Sequence, residues 1–411
     1  MRFKKLKITN WRQFEDVEIQ FNERLTVLTG ANASGKTTIL NILAAHCGLG
    51  WDTTFLATPE MDKASRNWKW NDSSPSDSYD SSYNKIGEIE YSTGDKCDLS
   101  IGSNHGAEYK ILFAGKEDVS GFFIPSHRAV FKYQQMLNIP REIIDKTQAF
   151  KKGYSGNKTR YFGTTNVQSI SFNIKETLFS WNIFGRGNPE IEPNEVLLEY
   201  YLGFENILKK IIPHEVGFKK FVIRNFEIVL ECESGDFILE AVSGGLSTII
   251  ELAWLIYCLV EKDEQFTVLI DEIENHLHPT MQRRLLSYFL DAFPHVSFIV
   301  STHSPLIVGS VRESEAYVLT FNDKKKVVSQ RLDLKNKAKT ASEILDEALG
   351  VSFTMPIWAE EKLNEIVNKY VKLEITETTF YDMKAELSEV GLERLIPESI
   401  ANLIKQKDDK N

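Results

Sequence analysis

The chain has 411 residues, 42% hydrophobic and 11% aromatic, with a formal net charge of −10. That length and apolar content supply a core shared by two or three structural units and exclude a disordered polypeptide. The acidic balance excludes a surface that is basic all over, though not a local basic groove.

The opening residues, Met1 to Leu6, lack the apolar stretch of a secretory signal. The longest nearly uncharged apolar run, Ile249 to Val260, is too short to span a bilayer and carries Glu251, so no membrane association is expected. Cys47, Cys97, Cys232 and Cys258 show no paired spacing, which argues against both a disulfide framework and a zinc site. The expected setting is soluble, reducing and cytoplasmic.

Lys5 to Asn10 and Val17 to Phe21 alternate in strand fashion and read as a hairpin. The hairpin leads into the buried-strand run Leu25 to Leu28. Next comes Gly30-Ala31-Asn32-Ala33-Ser34-Gly35-Lys36-Thr37, a G-x-x-x-x-G-K-[ST] phosphate loop between that strand and a helical run from Thr38. The glycines let the backbone turn so that successive N–H groups face a phosphate, and the helix adds its positive end. Lys36 is placed to reach the β- and γ-phosphates, and the Thr37 hydroxyl to ligate Mg²⁺. A chance glycine-rich turn is the competing reading.

From Trp51 to Tyr83 the chain is rich in Ser, Asp and Asn, which predicts an irregular insertion at the edge of the nucleotide pocket. Strand pieces are expected at Ile86 to Tyr91, Tyr109 to Phe113 and Gly121 to Ile124. Arg128 follows the last of these, as a phosphate or subunit contact or as a plain surface arginine. Met136 to Leu208 reads as mainly helical, interrupted by a basic, glycine-rich segment. There Lys151, Lys152, Lys158 and Arg160 are interleaved with Tyr154, Tyr161 and Phe162, a pattern that suits nucleic acid. A solvated loop is the more ordinary reading of such a charge run. Strands are expected again over Phe218 to Val229 and Phe237 to Ala241.

Val242-Ser243-Gly244-Gly245-Leu246 precedes an apolar helical run and builds a second phosphate cradle. The first loop already holds its own nucleotide, so this cradle needs a different phosphate. Gln265 to Glu272 is a buried strand ending in two carboxylates. Asp271 is placed to hold Mg²⁺ and Glu272 to polarise the attacking water. In Asn275-His276-Leu277-His278-Pro279 the histidines lack a third metal ligand, so a turn at a subunit interface is preferred. Val296 to Pro305 is a last strand ending in Ser301-Thr302-His303-Ser304, where His303 is placed to sense a γ-phosphate or merely caps the next segment.

The order of these pieces resembles the ABC-type ATPase head of the SMC, RecF and OLD group, from Met1 to about Phe321. Trp51 to His214 is poorly matched to anything general. The resemblance implies an α/β fold: a P-loop NTPase with a mixed central sheet, helices on both faces, an antiparallel β subdomain, a helical insertion and C-terminal helices. It makes Gly30 to Thr37 the Walker A loop. Its ATP-binding set is then Gly30, Asn32, Ala33, Ser34, Gly35, Lys36, Thr37 and Thr38, with Ser243, Gly244 and Gly245 of the signature loop. Thr37 and Asp271 become the Mg²⁺ ligands, Glu272 and His303 the catalytic pair. Leu246 stands where transporters usually carry glutamine, and Gln134 and Gln135 both remain candidates for the Q-loop residue. The implied division is 1–130 as a first ATPase lobe with the polar insertion 51–83, 131–215 as the helical insertion, 216–335 as the second lobe, and 336–411 as a helical region. That last region either docks a partner or covers the core.

No stretch carries heptads long enough for a coiled-coil arm, and no Asp-x-Asp pair is present for a Toprim nuclease. Glu274 to Pro279 has the E-x-x-L-H-P form of OLD-like ATPases, a departure from RecF. The chain thus resembles the ATPase components of anti-phage systems, most of all the ATPase subunit of the PARIS type. That resemblance implies an ATP-hydrolysing head-to-head dimer, or larger oligomer, that senses a phage-encoded protein and controls a separate effector nuclease. The rival expectation is a RecF-like repair ATPase that binds DNA; a transporter motor is the weakest of the three.

Overall fold

The computed structural model describes residues 1–51, 54–61, 68–71, 83–102, 106–128, 131–138, 140, 142–161, 169–261, 264–333, 357–371 and 377–392. In chain order the strands are β1 (Phe3–Trp11), β2 (Phe14–Gln20), β3 (Leu25–Gly30), β4 (Thr54–Leu56), β5 (Thr58–Met61), β6 (Trp68–Asn71), β7 (Tyr83–Tyr91), β8 (Lys96–Gly102), β9 (Glu108–Lys110), β10 (Leu112–Ala114) and β11 (Gly121–Ile124). There follow β12 (Phe218–Arg224), β13 (Glu227–Cys232), β14 (Phe237–Ile238), β15 (Phe266–Ile270), β16 (Val296–Ser301), β17 (Glu315–Phe321) and β18 (Val327–Leu332).

An 11-stranded mixed sheet in the order β10-β8-β7-β1-β2-β18-β17-β3-β16-β15-β11 forms the backbone of the molecule. From β17 through β3, β16 and β15 to β11 every pairing is parallel. β3, β15, β16 and β11 are buried at every position, as strands covered on both faces must be. The far half pairs antiparallel through β1, β2, β7, β8 and β10. There β1 alternates between buried Leu6 and Ile8 and more open neighbours, the pattern of a half-covered sheet. Because the parallel strands run the same way, β3, β15, β16 and β11 all end on one edge, where α/β sheets bind ligands.

Helix α1 (Lys36–Ala44) packs on β3, β11, β15 and β16. α2 (Lys146–Tyr161), α3 (Ile170–Arg186), α4 (Glu195–Ile211) and α5 (Gly244–Leu259) pack on one another. Trp254 of α5 centres that layer, with Trp181 at 5.2 Å and Phe204 at 4.8 Å between ring centroids. Aromatic rings of this size bury a large apolar area at the centre of the layer.

Several expectations need correction. The basic stretch after Met136 is no interruption: Lys151, Lys152 and Lys158 lie within α2. Glycine is tolerated there because tertiary packing outweighs its propensity cost. Tyr154 is buried against Phe122 and Phe150, Lys152 pairs with Glu176 at 3.0 Å, and Lys158 Nζ donates to the carbonyls of Leu49 and Gly50. Phe162 lies outside the described residues. Phe218 to Val229 is a hairpin rather than one strand, since Asn225 and Phe226 both take positive φ (48° and 63°) and reverse the chain. Leu239–Ala241 is a 3₁₀ turn rather than strand. The polar insertion contains β4, β5 and β6 among its described residues.

The chain divides into Met1–Ile344 and Leu345–Asn411. In the second unit the helices Ile357–Val371 and Glu377–Glu389 share a core of Leu363, Ile366, Val367, Tyr370, Met383 and Leu387. Among the described residues no helix is long and apolar enough to cross a membrane.

Candidate nucleotide site

The loop from Gly30 to Thr37 leaves β3 and enters α1 at the ligand-binding edge. Gly30 has φ +139°, and a Cβ there would lie 2.3 Å from the Leu319 carbonyl of the neighbouring β17. Gly35 has φ +95°, and a Cβ would lie 2.3 Å from the Phe14 ring. Only glycine meets both demands. Gly35 caps α1 without a side chain, so the first N–H groups of the helix lack a side-chain acceptor. Ser34 Oγ is also buried with no hydrogen-bond partner among the described residues. An uncapped helix start beside an orphaned hydroxyl fits a phosphate group. Asn32 and Ala33 are exposed along the same loop, and Ala33 holds φ +62°.

Lys36 folds back over this loop. Its Nζ donates to the Gly30 and Ala31 carbonyls at 3.0 Å each. Burial pulls its pKa down to about 8, against the opposing charges of Asp271, Glu272 and Glu274. A buried cation held this way gains from an incoming anion.

Asp271 and Glu272 follow β15 directly. Asp271 is 2% exposed and accepts from Thr37 Oγ1 at 2.9 Å on one oxygen and from Ser301 Oγ on the other. Desolvation raises its pKa, and the two hydroxyl hydrogen bonds work the other way. A carboxylate beside a threonine hydroxyl at the start of α1 is an all-oxygen donor set suited to Mg²⁺. Glu272 sits at φ +45°, a left-handed conformation that costs a non-glycine residue about 1–3 kcal/mol. Its N–H donates to Ser301 Oγ at 2.8 Å, and Asn275 Nδ2 donates to its Oε2 at 2.9 Å. His303 follows β16, with Nε2 4.0 Å from Glu272 Oε1, and its backbone N–H donates to Glu274 Oε1. Burial, then the Lys36 charge, lower the His303 pKa, so its imidazole is neutral at pH 7.

Arg128 is neither a surface arginine nor exposed toward a neighbour. It is 9% exposed, and its Nη2 donates to the Asp271 carbonyl at 2.7 Å and the Glu272 carbonyl at 3.1 Å. Gln134 and Gln135 are exposed, and Gln134 contributes only its carbonyl, to Lys175 Nζ at 2.8 Å.

Ser243, Gly244 and Gly245 open α5 at a different place. Ser243 caps the helix by accepting from Leu246 N, while Ser243 and Gly244 are exposed. A Cβ at Gly245 would lie 3.0 Å from the His276 carbonyl. No hydrogen bond among the described residues joins this loop to Gly30–Thr37. His278 N-caps the turn Pro279–Gln282, and His276 takes φ +67°, so both lie in a turn.

The structure thus gathers Lys36, Thr37, Asp271, Glu272 and His303 at one edge and leaves Ser243–Gly245 outside the cluster. Sequence reasoning missed Ser301, Asn275 and Glu274. Ser301 stood in the polar run read only for His303, and the E-x-x-L-H-P form held Glu274 and Asn275 in plain view.

Residues 5–183 match the family described as "AAA domain", and residues 174–309 match "AAA domain, putative AbiEii toxin, Type IV TA system". The Septu protein PtuA of Bacillus thuringiensis is 23% identical over 406 residues, covering 90% of this chain and 93% of that protein. A Septu protein PtuA of Bacillus mycoides (strain KBAB4) is 33% identical over 141 residues, which is 33% of this chain. The "Retron Vc95 probable ATPase" of Vibrio cholerae serotype O1 biovar El Tor is 33% identical over 107 residues, 26% of this chain. These two matches span only 19% and 20% of the relatives' own lengths. The phosphate loop and the acidic strand end thus lie on one sheet within two segments, 5–183 and 174–309, that match AAA-domain families.

Proposed function

We propose that this chain hydrolyses ATP between two protomers and uses the cycle to control a separate effector protein in bacterial anti-phage defence. The observation that carries the reading is the hydrogen-bonded chain from Thr37 through Asp271 and Ser301 to the Glu272 N–H, which fixes a phosphate loop against a pair of carboxylates. The loop N–H groups from Gly30 to Thr38 and the Lys36 ammonium would hold the phosphates, and Thr37 with Asp271 would hold Mg²⁺. Bound there, Mg²⁺ neutralises phosphate charge. Glu272 takes the proton of the attacking water, with its carboxylate oriented by Asn275. The neutral His303 imidazole donates a hydrogen bond toward the terminal phosphate. Ser243, Gly244 and Gly245 close over the nucleotide of the partner protomer, which agrees with the exposure of Ser243 and Gly244 in this chain. Nucleotide binding then favours association, and hydrolysis reverses it.

The likeness to Septu protein PtuA over nearly the full length of both proteins, and to a retron ATPase, supports the defence setting. A Toprim nuclease as the effector and a phage-encoded protein as the trigger, as in the PARIS type, are the finer part of the proposal. The basic segment lends the DNA-repair rival little support, since Lys152, Lys158 and Tyr154 are spent on the fold.

The test is the mass of the Glu272→Gln protein purified with ATP from cells that also carry the flanking genes. A large particle holding a second polypeptide is expected, and Lys36→Ala should form none. A bare ATP-dependent dimer that binds duplex DNA in a salt-sensitive way overturns the scaffold reading in favour of repair. Tight ATP binding with no change in association overturns the two-protomer site.

A further inference from the structure

We infer that Arg128 is a positioning residue for hydrolysis: it clamps the peptides on both sides of Glu272 and so aims the Glu272 carboxylate. The inference rests on the ATPase reading above. β11 is the parallel neighbour of β15, so Pro125 to Arg128 leave the sheet directly beside Asp271 and Glu272. From there the guanidinium reaches the carbonyl of the peptide before Glu272 and the carbonyl of the peptide after it, at 2.7 and 3.1 Å. These two peptide planes define φ and ψ of Glu272, the residue held in the left-handed conformation at φ +45°. On its other side the Ser301 hydroxyl takes the Glu272 N–H, so the strained residue is gripped from both directions. The same segment props the side chain as well. Asn275 Nδ2, which donates to Glu272 Oε2, also donates to the Ser126 carbonyl at 3.2 Å.

Folding stability does not account for this arginine. Its Nε and Nη1 find no acceptor among the described residues, and a buried cation with orphaned donors is costly. It is retained in a field of carboxylates, with Glu251 the strongest, followed by Asp271, Glu274 and Glu272. Glu251 is fully buried on α5, the helix that begins at the Ser243–Gly245 loop, and its Oε1 accepts from Asn157 Nδ2 at 2.7 Å. Arg128 therefore feels the charge of a carboxylate on the helix that carries the second glycine loop while its guanidinium holds the carbonyls at the end of β15. Gln134 and Gln135, the glutamines available nearby in sequence, are exposed, and among the described residues the Gln134 carbonyl accepts from Lys175 Nζ.

The test uses Arg128→Lys, which keeps the charge but ends one bond short of the carbonyls, in the full-length protein. ATP affinity and the single-turnover cleavage rate are measured side by side, with thermal melting as the control for folding. Affinity within about twofold of the starting protein and a cleavage rate lower by about tenfold to a hundredfold are expected, because a misplaced reacting group costs rate and not binding. In the Glu272→Gln background the same change should slow cleavage no further. Arg128→Met paired with Glu251→Gln removes cation and counter-charge together, and it should repeat the rate loss if Arg128→Lys melts early. An unchanged rate in either variant, a loss shared equally by affinity, or a full further loss in the Glu272→Gln background overturns the positioning role alone. Failure of the starting protein to bind ATP overturns the ATPase reading and this inference with it.

Discussion

Thr37 Oγ1 donates a hydrogen bond to Asp271 Oδ2 at 2.9 Å, joining residues 234 positions apart in the chain. The bond ties the first turn of α1 to the end of β15, and the other Asp271 oxygen is held by Ser301. A phosphate loop and an acidic strand end become one site through this contact.

Thr37→Val keeps the shape of the side chain and deletes the donor. It should lower stability by about 1–2 kcal/mol, since a buried acceptor loses its partner. It should also abolish the gain in nucleotide affinity on adding Mg²⁺, while Thr37→Ser restores both. Titrations with and without Mg²⁺, alongside urea unfolding, check this; Mg²⁺ dependence that survives in Thr37→Val would remove Thr37 from the ligand set.

Ser301 serves two partners, donating to Asp271 and accepting from the Glu272 N–H. Ser301→Ala leaves a buried carboxylate oxygen and a backbone N–H without that hydroxyl. A loss of about 2–3 kcal/mol in unfolding free energy is expected, because one of the bonds is charge-assisted. ATP turnover should fall more than ATP affinity. Equilibrium denaturation and steady-state kinetics on one preparation measure both, and affinity falling as far as turnover would count against the account.

Gly35→Ala places a methyl group 2.3 Å from the Phe14 ring at φ +95°. Strain and overpacking together should cost about 2–4 kcal/mol and deform the loop. Phe14→Ala in the same chain should recover part of the nucleotide affinity, though not all, because φ remains unfavourable. Calorimetric binding to the single and double variants decides; wild-type affinity in Gly35→Ala would refute the steric argument.

His46 gives a pH dependence away from the site. It is fully buried, with Nδ1 2.8 Å from the Tyr91 hydroxyl, and burial followed by the Lys116 charge lowers its pKa from 6.5 to about 4. A hydrogen bond from the imidazole to the Glu117 backbone opposes the shift, as does the Asp118 charge. The unfolded chain binds a proton below about pH 6.5 and the folded chain only below about 4, so stability rises with pH across that window. Acidification from pH 6.5 to 4 should cost on the order of 2–3 kcal/mol through this residue. His46→Gln should flatten that part of the curve in urea unfolding at stepped pH. An unchanged slope would mean that other groups carry it.

The local chemistry of the site was legible in the letters. Gly30 to Thr37 states its own conformation, because glycines at fixed spacing before a lysine and a helical run leave the backbone few alternatives. Continuous apolar runs marked β3, β15 and β16 as strands covered on both faces, and polar residues at their ends marked the edge where Asp271, Glu272 and His303 meet. The basic stretch was misread because Lys151, Lys152 and Lys158 signal charge but not partners. Whether a lysine is solvated, as Lys151 is, or caps the carbonyls of Leu49 and Gly50, as Lys158 does, depends on chain brought from elsewhere. The 218–229 hairpin was missed because Asn225-Phe226 lacks the glycine that usually announces such a turn.

What the sequence by itself determined is therefore the nucleotide loop, the acidic strand end and the α/β order that presents them, since each depends on residues adjacent in the chain. Only the tertiary structure decided which groups hold Glu272 in place. Arg128 acts on backbone carbonyls, which every residue carries and no letter distinguishes, and Ser301 acts across two parallel strands whose pairing is non-local. Hydrogen bonds of that kind are set by how strands stack side by side, and side-chain spacing along one segment does not encode it.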